Sequence, residues 1–293
     1  MAANNVNEPT LDHLALASVQ AWDNVIRYCY HLGARWIGGL DPDDPSDQET
    51  SGSKPSDNVG EFYFAQAEMA NGTKLEFLEP IPGPGSEFLR RFLHRNGPGP
   101  HHLTFKVPDI RAAIAEVNAA GYDVVNGRFD NPNWQEAFLH PKQSHGIVIQ
   151  LAQPGGDAPW QIPPPLPPSL QNGPASITAL HHLVADLDAA TKLFSGPLAM
   201  TIVDQGSSKA GEFTELAHGP WAVRLVKPGP ESHRQWLADR PGRLFQVEMA
   251  VDHPSVVPDV RTVERGWEIP PALNQGTRVL LTKRRETAPP QRG

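Results

Sequence analysis

The sequence predicts an α+β fold of two modules, each made of paired βαβββ units whose helices lie outside curved, partly open β-sheets. Three observations predict it. The order strand, helix, three strands occurs twice before residue 154, a similar start appears after residue 175, and a proline-rich segment separates the two stretches. With 293 residues, the chain is long enough for two hydrophobic cores of about 100–200 residues each.

The first unit begins with an alternating strand pattern over residues 11–18 and a helical pattern over residues 19–32. A hairpin of residues 61–70 and 74–79 follows, turned by Asn71-Gly72, where both residues tolerate positive φ. The second unit repeats this order. It has a strand over residues 101–107, a helix over residues 109–120 that ends at Gly121, and further strands that end with residues 146–153.

Composition shifts divide the chain. We expect a first module over residues 1–153, a proline-rich linker over 154–175, a second module over 176–285 and a tail over 286–293. Residues 41–60 are rich in Asp, Ser, Pro and Gly, which predicts a surface loop that would suit a lid. After the linker, strand, helix and hairpin patterns over 178–184, 187–193, 212–216 and 221–227 predict a shortened copy of the first module.

The bulk composition limits the partners. A net charge of −8 argues against nucleic-acid binding, which depends on clustered Lys and Arg. No apolar segment approaches the roughly 20 residues that a membrane span needs, and the N-terminus has no signal-peptide pattern. We therefore expect a cytoplasmic protein whose partner is a small-molecule substrate. The single cysteine, Cys29, falls in an apolar pattern and is expected to be a buried thiol.

Side chains alternate across a strand, so each strand can be sorted into two faces. In four strands of the first module one face is apolar, and the other holds small residues and one ligand-type side chain each: His13, Glu76, His102 and Gln150. His and Glu suit a borderline divalent ion. Polar residues on a solvent-exposed sheet face would fit the same alternation. Ala15, Ala17 and Ala152 predict room beside these side chains, as a cavity needs.

Several segments resemble a known family: Leu11-Asp-His-Leu-Ala-Leu, Lys74-Leu-Glu-Phe-Leu-Glu-Pro, Gly99-Pro-His-His-Leu-Thr-Phe and Gly146-Ile-Val-Ile-Gln-Leu-Ala-Gln. In this order they resemble the vicinal-oxygen-chelate (glyoxalase) superfamily, and within it most closely methylmalonyl-CoA epimerase, over about residues 10–153. The resemblance implies one divalent ion, Zn, Co, Ni, Mn or Fe, ligated by His13, Glu76, His102 and Gln150. It also implies that the ion chelates vicinal oxygens of the substrate and stabilises an enolate.

The sequence departs from the epimerase pattern, which has glutamate where this chain has Gln150. An amide can offer its carbonyl oxygen to a metal but cannot act as a base. The family's partner acid is expected on the strand that leads into the hairpin, where pairing around the turn sets Ala67 opposite Glu76. The nearest titratable residues on that face are then Tyr63 and Glu61, and Glu61 is the better candidate base. The candidate catalytic residues are thus Glu76, Gln150 and Glu61.

The corresponding positions in the second module are predicted to be His182, Arg224, Gln246 and Leu280, a set that will not hold a divalent cation. We expect this degenerate module to pack as an intrachain pseudo-dimer or to shape the pocket; a homodimer is the alternative. His101 falls on the apolar face, which favours a packing or supporting role. Lys106 on the site face could hold an anionic group. The basic cluster Arg90, Arg91, His94 and Arg95 could attract phosphates.

The preferred function is a metal-dependent isomerase or lyase of the epimerase type. It would act on a small oxygen-chelating carboxylate, thioester such as an acyl-CoA, or ketone. The first alternative is an extradiol-type dioxygenase that uses iron bound to His13, His102 and Glu76. The second is a resistance-type protein that binds a small molecule without turnover. The fold class cannot choose among these three, because one scaffold hosts many chemistries.

Overall fold

The computed structural model describes residues 8–40, 62–81, 85–155 and 174–284. The strands of the first module are β1 Thr10–Ala17, β2 Arg35–Gly39, β3 Phe62–Glu68, β4 Lys74–Pro80, β5 Gly99–Lys106, β6 Val124–Arg128, β7 Trp134–Leu139 and β8 Val148–Pro154. Those of the second are β9 Ser176–Val184, β10 Thr201–Ser208, β11 Gly211–His218, β12 Trp221–Pro228, β13 Gly242–Val251, β14 Arg261–Val263, β15 Gly266–Ile269 and β16 Val279–Lys283. The α-helices are α1 Ala21–Val25, continued by the π-helical segment Ile26–His31, α2 Glu87–Asn96, α3 Ile110–Ala119, α4 Leu187–Ser195 and α5 Glu231–Leu237.

Both modules have the same sheet topology. The strand order is β2-β3-β4-β1-β5-β8-β7-β6 in the first and β10-β11-β12-β9-β13-β16-β15-β14 in the second. Each sheet joins two βαβββ-type units along an antiparallel central pair, β1 with β5 and β9 with β13. Neither sheet closes on itself. The predicted two-module α+β fold is confirmed. The second module, predicted to be a shortened copy, spans fewer residues but keeps all eight strands.

Aspartate residues cap the helices that follow two of the central strands, β5 and β9. Asp109 caps α3, its carboxylate accepting hydrogen bonds from the backbone N–H groups of Arg111 at 2.8 Å and Ala112 at 3.1 Å. Asp186 caps α4 in the same way, accepting from Ala189 N–H at 2.9 Å. Caps of this kind stabilise a helix by about 1 kcal/mol each. They fix where the chain leaves the sheet and therefore which strand residues stay in it.

The hairpin of β3 and β4 has a different register from the predicted one. Met69 N–H donates to the Thr73 carbonyl at 2.8 Å, so the loop holds three residues rather than the two that Asn71-Gly72 predicts. Glu68 then pairs with Lys74, and Gln66, not Ala67, lies opposite Glu76. The one-residue shift exchanges the faces of β3. Tyr63, predicted to face the site, is fully buried in the main core.

The two modules share one hydrophobic core, a single contiguous cluster that runs from Leu11 in β1 to Leu281 in β16. Their backbones touch at two glycine pairs. A Cβ on Gly276 would lie 1.8 Å from the Pro98 carbonyl oxygen, beside Gly99, and a Cβ on Gly146 would lie 1.8 Å from the Gly242 carbonyl oxygen. By strand register Pro98 is the equivalent of Gly242 and Gly276 that of Gly146, so the two contacts obey a pseudo-twofold relation. The modules therefore pair as two subunits of a symmetric dimer would.

Among the described residues, no helix is both long and apolar enough to span a bilayer. The loop of residues 41–60, the tail of residues 286–293 and the candidate base Glu61 lie outside the described ranges, as does most of the predicted linker.

Candidate metal centre

Three of the four predicted ligands meet on one face of the first sheet. His13 Nε2 lies 3.5 Å and His102 Nε2 3.8 Å from Glu76 Oε2. One candidate ligand atom from each residue falls within 4.8 Å of the others, and no other group of three His, Cys, Asp or Glu does this within the described residues. Both imidazoles are buried, 3% and 6% exposed. The strands β1, β4 and β5 are neighbours in the sheet, which is why residues far apart in sequence converge here.

Two β-bulges shape this cluster. The register between β1 and β5 shifts at Asp12 and again opposite His101, so each strand carries one extra residue at a different point. A bulge breaks the strict alternation of side chains. Asp12 therefore contacts its neighbour His13, and His101 contacts its neighbour His102. Alternation alone sends both Asp12 and His101 to the opposite face, and for this reason the sequence gives no indication of these contacts.

Asp12 orients the first imidazole. Its Oδ2 accepts a hydrogen bond from His13 Nδ1 at 2.8 Å, while Oδ1 lies 3.0 Å from the ammonium groups of both Lys74 and Lys106. Burial opposes a charge on His13, but Glu76 and the bond to Asp12 outweigh it and raise the pKa of His13 to about 9. Lys106, proposed from the sequence as an anion holder, is thus paired with Asp12.

Glu76 is held from the strand beside it. Gln66 Nε2 donates to Glu76 Oε1 at 3.0 Å, which leaves Oε2 toward the two imidazoles. Burial raises the pKa of Glu76, yet the facing His13 holds it below its usual value. The carboxylate form is therefore favoured, as metal ligation requires. Gln66 reaches this position only because of the shifted hairpin register, so a two-residue turn at Asn71-Gly72 does not predict its role.

His102 carries the least satisfied group in the cluster. Its Nδ1 lies 2.8 Å from His101 Nδ1, whereas its Nε2 is fully buried and has no hydrogen-bond partner among the described residues. With the proton on Nδ1, His102 donates to His101 and leaves the Nε2 lone pair free. Burial, with the neighbouring His101 and His13, holds the pKa of His102 well below its usual value. An unpartnered buried nitrogen is costly in a native protein unless something binds it.

The alternation of side chains predicts that His101 lies in the main core, but in the structure it does not. Its ring packs edge-on against Phe92 at 4.6 Å and Phe88 at 6.0 Å between centroids, both from α2. The same helix covers Ala15 and Ala17, which pack in a cluster with Leu78 and Leu89. The space that Ala15 and Ala17 were expected to leave beside the ligands is therefore filled by α2. The rings of Phe88 and Phe92 on this helix form an aromatic wall of the site.

Gln150, the fourth predicted ligand, is tied to the cluster through Thr104. Thr104 Oγ1 donates to Gln150 Oε1 at 2.5 Å and lies 2.9 Å from His13 Nε2. On the other side, Gln150 Nε2 donates to Glu136 Oε2 at 2.7 Å. Because a carboxylate oxygen only accepts, Glu136 fixes the amide so that its carbonyl oxygen points to the site. Glu136 also accepts from Trp134 Nε1 at 3.0 Å and was missed in the sequence analysis.

The donor set fits a borderline divalent ion. Two imidazole nitrogens and a carboxylate oxygen are the ligands that zinc and non-haem iron sites use, with metal–ligand distances near 2.1 Å, so that bound ligand atoms lie about 3 Å apart. The separations of 3.5 and 3.8 Å need only small side-chain rotations to reach that geometry. The buried, unpartnered Nε2 of His102 supplies a lone pair. Asp12 supplies the carboxylate that metal-bound histidines commonly have behind them.

Within residues 174–284, the described part of the second module, there is no such set. Strand register identifies the equivalents of Ala15, Glu76 and His102 as His181, Arg224 and Gln246. The equivalent of His13 is therefore Ala179, two residues before His181, and the prediction of His182 at that position is wrong. Leu280 pairs with Glu248 as Gln150 pairs with Thr104. His181 Nε2 is hydrogen-bonded to Glu248 Oε2 at 3.0 Å, and Arg224 Nη2 lies 2.5 Å from Glu215 Oε2, so the polar groups on this face are paired with each other.

His182 has a structural role. Its Nε2–H donates to the carbonyl oxygen of His145 at 2.6 Å across the seam between the modules, where Gly146 and Gly242 touch. It thus joins the two halves.

The first module is similar in sequence to known proteins. Residues 12–138 match the family model of the Glyoxalase/Bleomycin resistance protein/Dioxygenase superfamily. An ethylmalonyl-CoA/methylmalonyl-CoA epimerase from Cereibacter sphaeroides is 36% identical over 88 residues, which are 28% of this chain and 62% of that protein. The uncharacterised protein YqjC from Bacillus subtilis is 27% identical over 92 residues, 30% and 64% of the two chains. The chain thus spans just under two thirds of the length of these curated relatives.

A solved structure extends the likeness to both modules. A triple mutant of 4-hydroxymandelate synthase from Streptomyces coelicolor superposes with a TM-score of 0.55 at 13% identity, covering 83% of this chain and 72% of the other. Identity this low shows the fold alone, but the fold is shared across both halves. The similarity to the glyoxalase/bleomycin resistance protein/dioxygenase superfamily thus lies in the first module, over residues 12–138.

Proposed function

We propose that the chain is a metal-dependent enzyme of the isomerase or lyase class, which moves a proton next to a carbonyl group of a small oxygen-chelating substrate. The observation that carries the proposal is the buried cluster of His13, Glu76 and His102, with His102 Nε2 unpartnered. The identity with an ethylmalonyl-CoA/methylmalonyl-CoA epimerase supports an acyl-CoA thioester as the substrate class. His13, Glu76 and His102 would hold the ion, with the Gln150 carbonyl oxygen as the fourth ligand.

A divalent ion in this position would act as a Lewis acid toward the substrate's oxygen atoms and lower the cost of the negative charge that proton removal creates. The chain's own residues prepare the site for it. Asp12 fixes the His13 ring, Gln66 fixes the Glu76 carboxylate, and Glu136 turns the amide of Gln150. Each orienting bond is made before a ligand arrives, so little reorganisation is needed on binding. The rings of Phe88 and Phe92 pack against His101 on one side of the site.

Proton transfer needs a group other than the amide of Gln150. Glu61 stays a prediction from the sequence, and Glu136, one hydrogen bond from Gln150, is a second candidate base within the described residues. Glu61→Gln and Glu136→Gln, measured side by side, separate the two. Substitution of the base should reduce exchange of the substrate's α-proton with solvent by at least about 100-fold. Bound metal should stay at one ion per chain in both variants.

The decisive experiment is metal analysis followed by isotope exchange. Protein purified without added metal should contain one divalent ion, and His13→Ala/His102→Ala should contain none. A matched control, His218→Gln, changes a histidine outside the cluster and should keep the ion. With the metal-loaded protein, deuterium from solvent should enter the α-carbon of methylmalonyl-CoA. Ion content that is the same in the double variant and the parent protein would refute the site, and no exchange at full metal occupancy would refute the reaction.

An extradiol-type oxygenase is the second candidate, because two histidines and one carboxylate with open positions are also the ligand set of non-haem iron enzymes. Iron as the bound metal, together with oxygen consumption in the presence of catechols, would favour it. A metal-loaded protein that neither exchanges protons nor consumes oxygen would leave the third reading, a small-molecule-binding protein.

A further inference from the structure

A cavity of about 340 Å³ lies on the seam between the modules, next to the metal centre but outside it. Both halves contribute to its walls, and the two glycine pairs Gly99–Gly276 and Gly146–Gly242 border it. His101 lines it from the side of the metal centre, where it is hydrogen-bonded to His102. Volumes of this size are typical of small-molecule sites, which often lie where two domains meet.

The lining of this cavity is cationic. It contains four permanently charged side chains and two imidazoles, and no carboxylate among the described residues: Arg95, Lys142, Arg240, Arg243, His101 and His140. Arg240 and Arg243 are half-buried, whereas Arg95 and Lys142 are exposed at the rim. The chain as a whole carries a net charge of −8. A concentration of positive charge on an acidic protein is therefore a local feature, and one that attracts anions.

The two half-buried arginines are positioned by uncharged groups. Arg240 Nη1 donates to Asn96 Oδ1 of the other module at 2.8 Å, and Arg243 Nη1 donates to the Trp236 carbonyl oxygen at 3.1 Å. The Arg243 guanidinium also stacks over the Trp236 ring at 4.0 Å. Burial, then the proximity of Arg240, lowers the pKa of Arg243. Within the part of the chain that the structure describes, both arginines are thus oriented without a neutralising partner, which leaves N–H donors free for an oxyanion.

We propose that this inter-module cavity is a binding site for a small polyanion, a molecule with two or more phosphate or carboxylate groups. Arg240 and Arg243 bind it from the second module, and Arg95 and Lys142 from the first. The site gives the second module a role that needs no metal, because its arginines complete a pocket beside the first module's cluster. Binding is independent of the metal ion and of the proposed proton transfer.

The test uses inorganic pyrophosphate and citrate as separate probes, with ion-free His13→Ala/His102→Ala protein so that neither probe can bind through a metal. Calorimetry near 150 mM salt, where exposed charges are screened beyond about 8 Å, reports specific binding. We expect one molecule bound per chain, at least tenfold weaker in Arg240→Gln and in Arg243→Gln. The matched control Lys209→Gln/Lys227→Gln removes two charges that do not line the cavity and should change affinity less than twofold. Arg243→Lys keeps the charge and should retain more binding than Arg243→Gln.

Binding of pyrophosphate alone identifies a phosphate-bearing ligand, binding of citrate alone a carboxylate-bearing one, and both support the site. The proposal is overturned if neither probe binds, or if the arginine variants and the lysine control lose affinity equally. Thermal unfolding of each variant shows that it is folded. Because the metal-free double variant is the host, failure here says nothing against the metal centre, and a failed metal centre leaves this result intact.

Discussion

Binding of a divalent ion should release about one proton per chain at pH 7. In the ion-free site the pKa of His13 is about 9, because Glu76 and Asp12 outweigh the effect of burial. At pH 7 roughly 1% of His13 is neutral, and a metal binds only the neutral ring. Glu76 is already a carboxylate and His102 is already neutral, since their pKa values are both held low. His13 is therefore the source of the released proton.

The size of the effect follows from the same value. Deprotonating His13 at pH 7 costs about 2.7 kcal/mol, two pKa units at about 1.36 kcal/mol each. The apparent affinity for the ion should rise about tenfold between pH 7 and pH 8 and about 50-fold between pH 7 and pH 9. Above pH 9 it should level off. In Asp12→Asn the His13 ring loses an anionic partner, so the plateau should begin at lower pH.

The assay is a Zn²⁺ titration by calorimetry in buffers of different ionisation enthalpy, with a competing chelator that keeps the ion soluble at high pH. The slope of the observed enthalpy against buffer enthalpy gives the number of protons released. A slope of zero at pH 7, or an affinity that does not change between pH 7 and pH 9, would refute the assignment of His13 as a protonated ligand. His218→Gln serves as the control and should behave as the parent protein does.

Three other predictions concern stability. Burial lowers the pKa of His182 to about 4, below its usual 6.5, so stability should be lost as pH falls from 6.5 to 4 because the unfolded chain takes the proton first. Up to about 3 kcal/mol of this acid sensitivity should disappear in His182→Gln, measured by urea unfolding at each pH. Gly242→Ala places a Cβ 1.8 Å from the His145 carbonyl oxygen and should destabilise the protein by more than about 2 kcal/mol. In the control Gly206→Ala, the new Cβ meets nothing closer than 3.6 Å, so the loss of stability should be under about 1 kcal/mol. Thermal unfolding measures both. Removing the ion with a chelator should lower the unfolding temperature, and an unchanged temperature would argue against the metal centre.

Alternation of apolar and polar residues was sufficient to predict the sheet and three members of the cluster. Leu14, Leu16 and Phe77 are buried in the main core as predicted, and His13 and Glu76 face the other way. This works because the inner face of a strand must be apolar over its whole length, a condition that period-two patterning satisfies in few ways. The two βαβββ units could be recognised for the same reason.

The predictions that failed concern features that depend on one extra residue in a loop or a strand. A three-residue loop in place of a two-residue turn moved Gln66 opposite Glu76 and sent Tyr63 into the core. Two bulges brought Asp12 and His101 beside the imidazoles, against their parity. Bulges and loop lengths are set by hydrogen bonds between distant strands, and a single sequence does not show them. In the second module, His182 was assigned as the equivalent of His13 for the same reason, whereas the strand register gives Ala179.

Because two similar halves are joined in one chain, equivalent positions in the two halves can hold different residues. An assembly of two identical halves would repeat every feature twice, so a substitution that improved one seam or one pocket would be imposed on both copies. Here the four glycines at the seam are separately encoded, and the half that lacks the His–Glu cluster carries Arg240 and Arg243 at the cavity between the modules. One chain can therefore keep a binding cluster on one side of its axis and an unrelated chemistry on the other, at a fixed ratio of one to one.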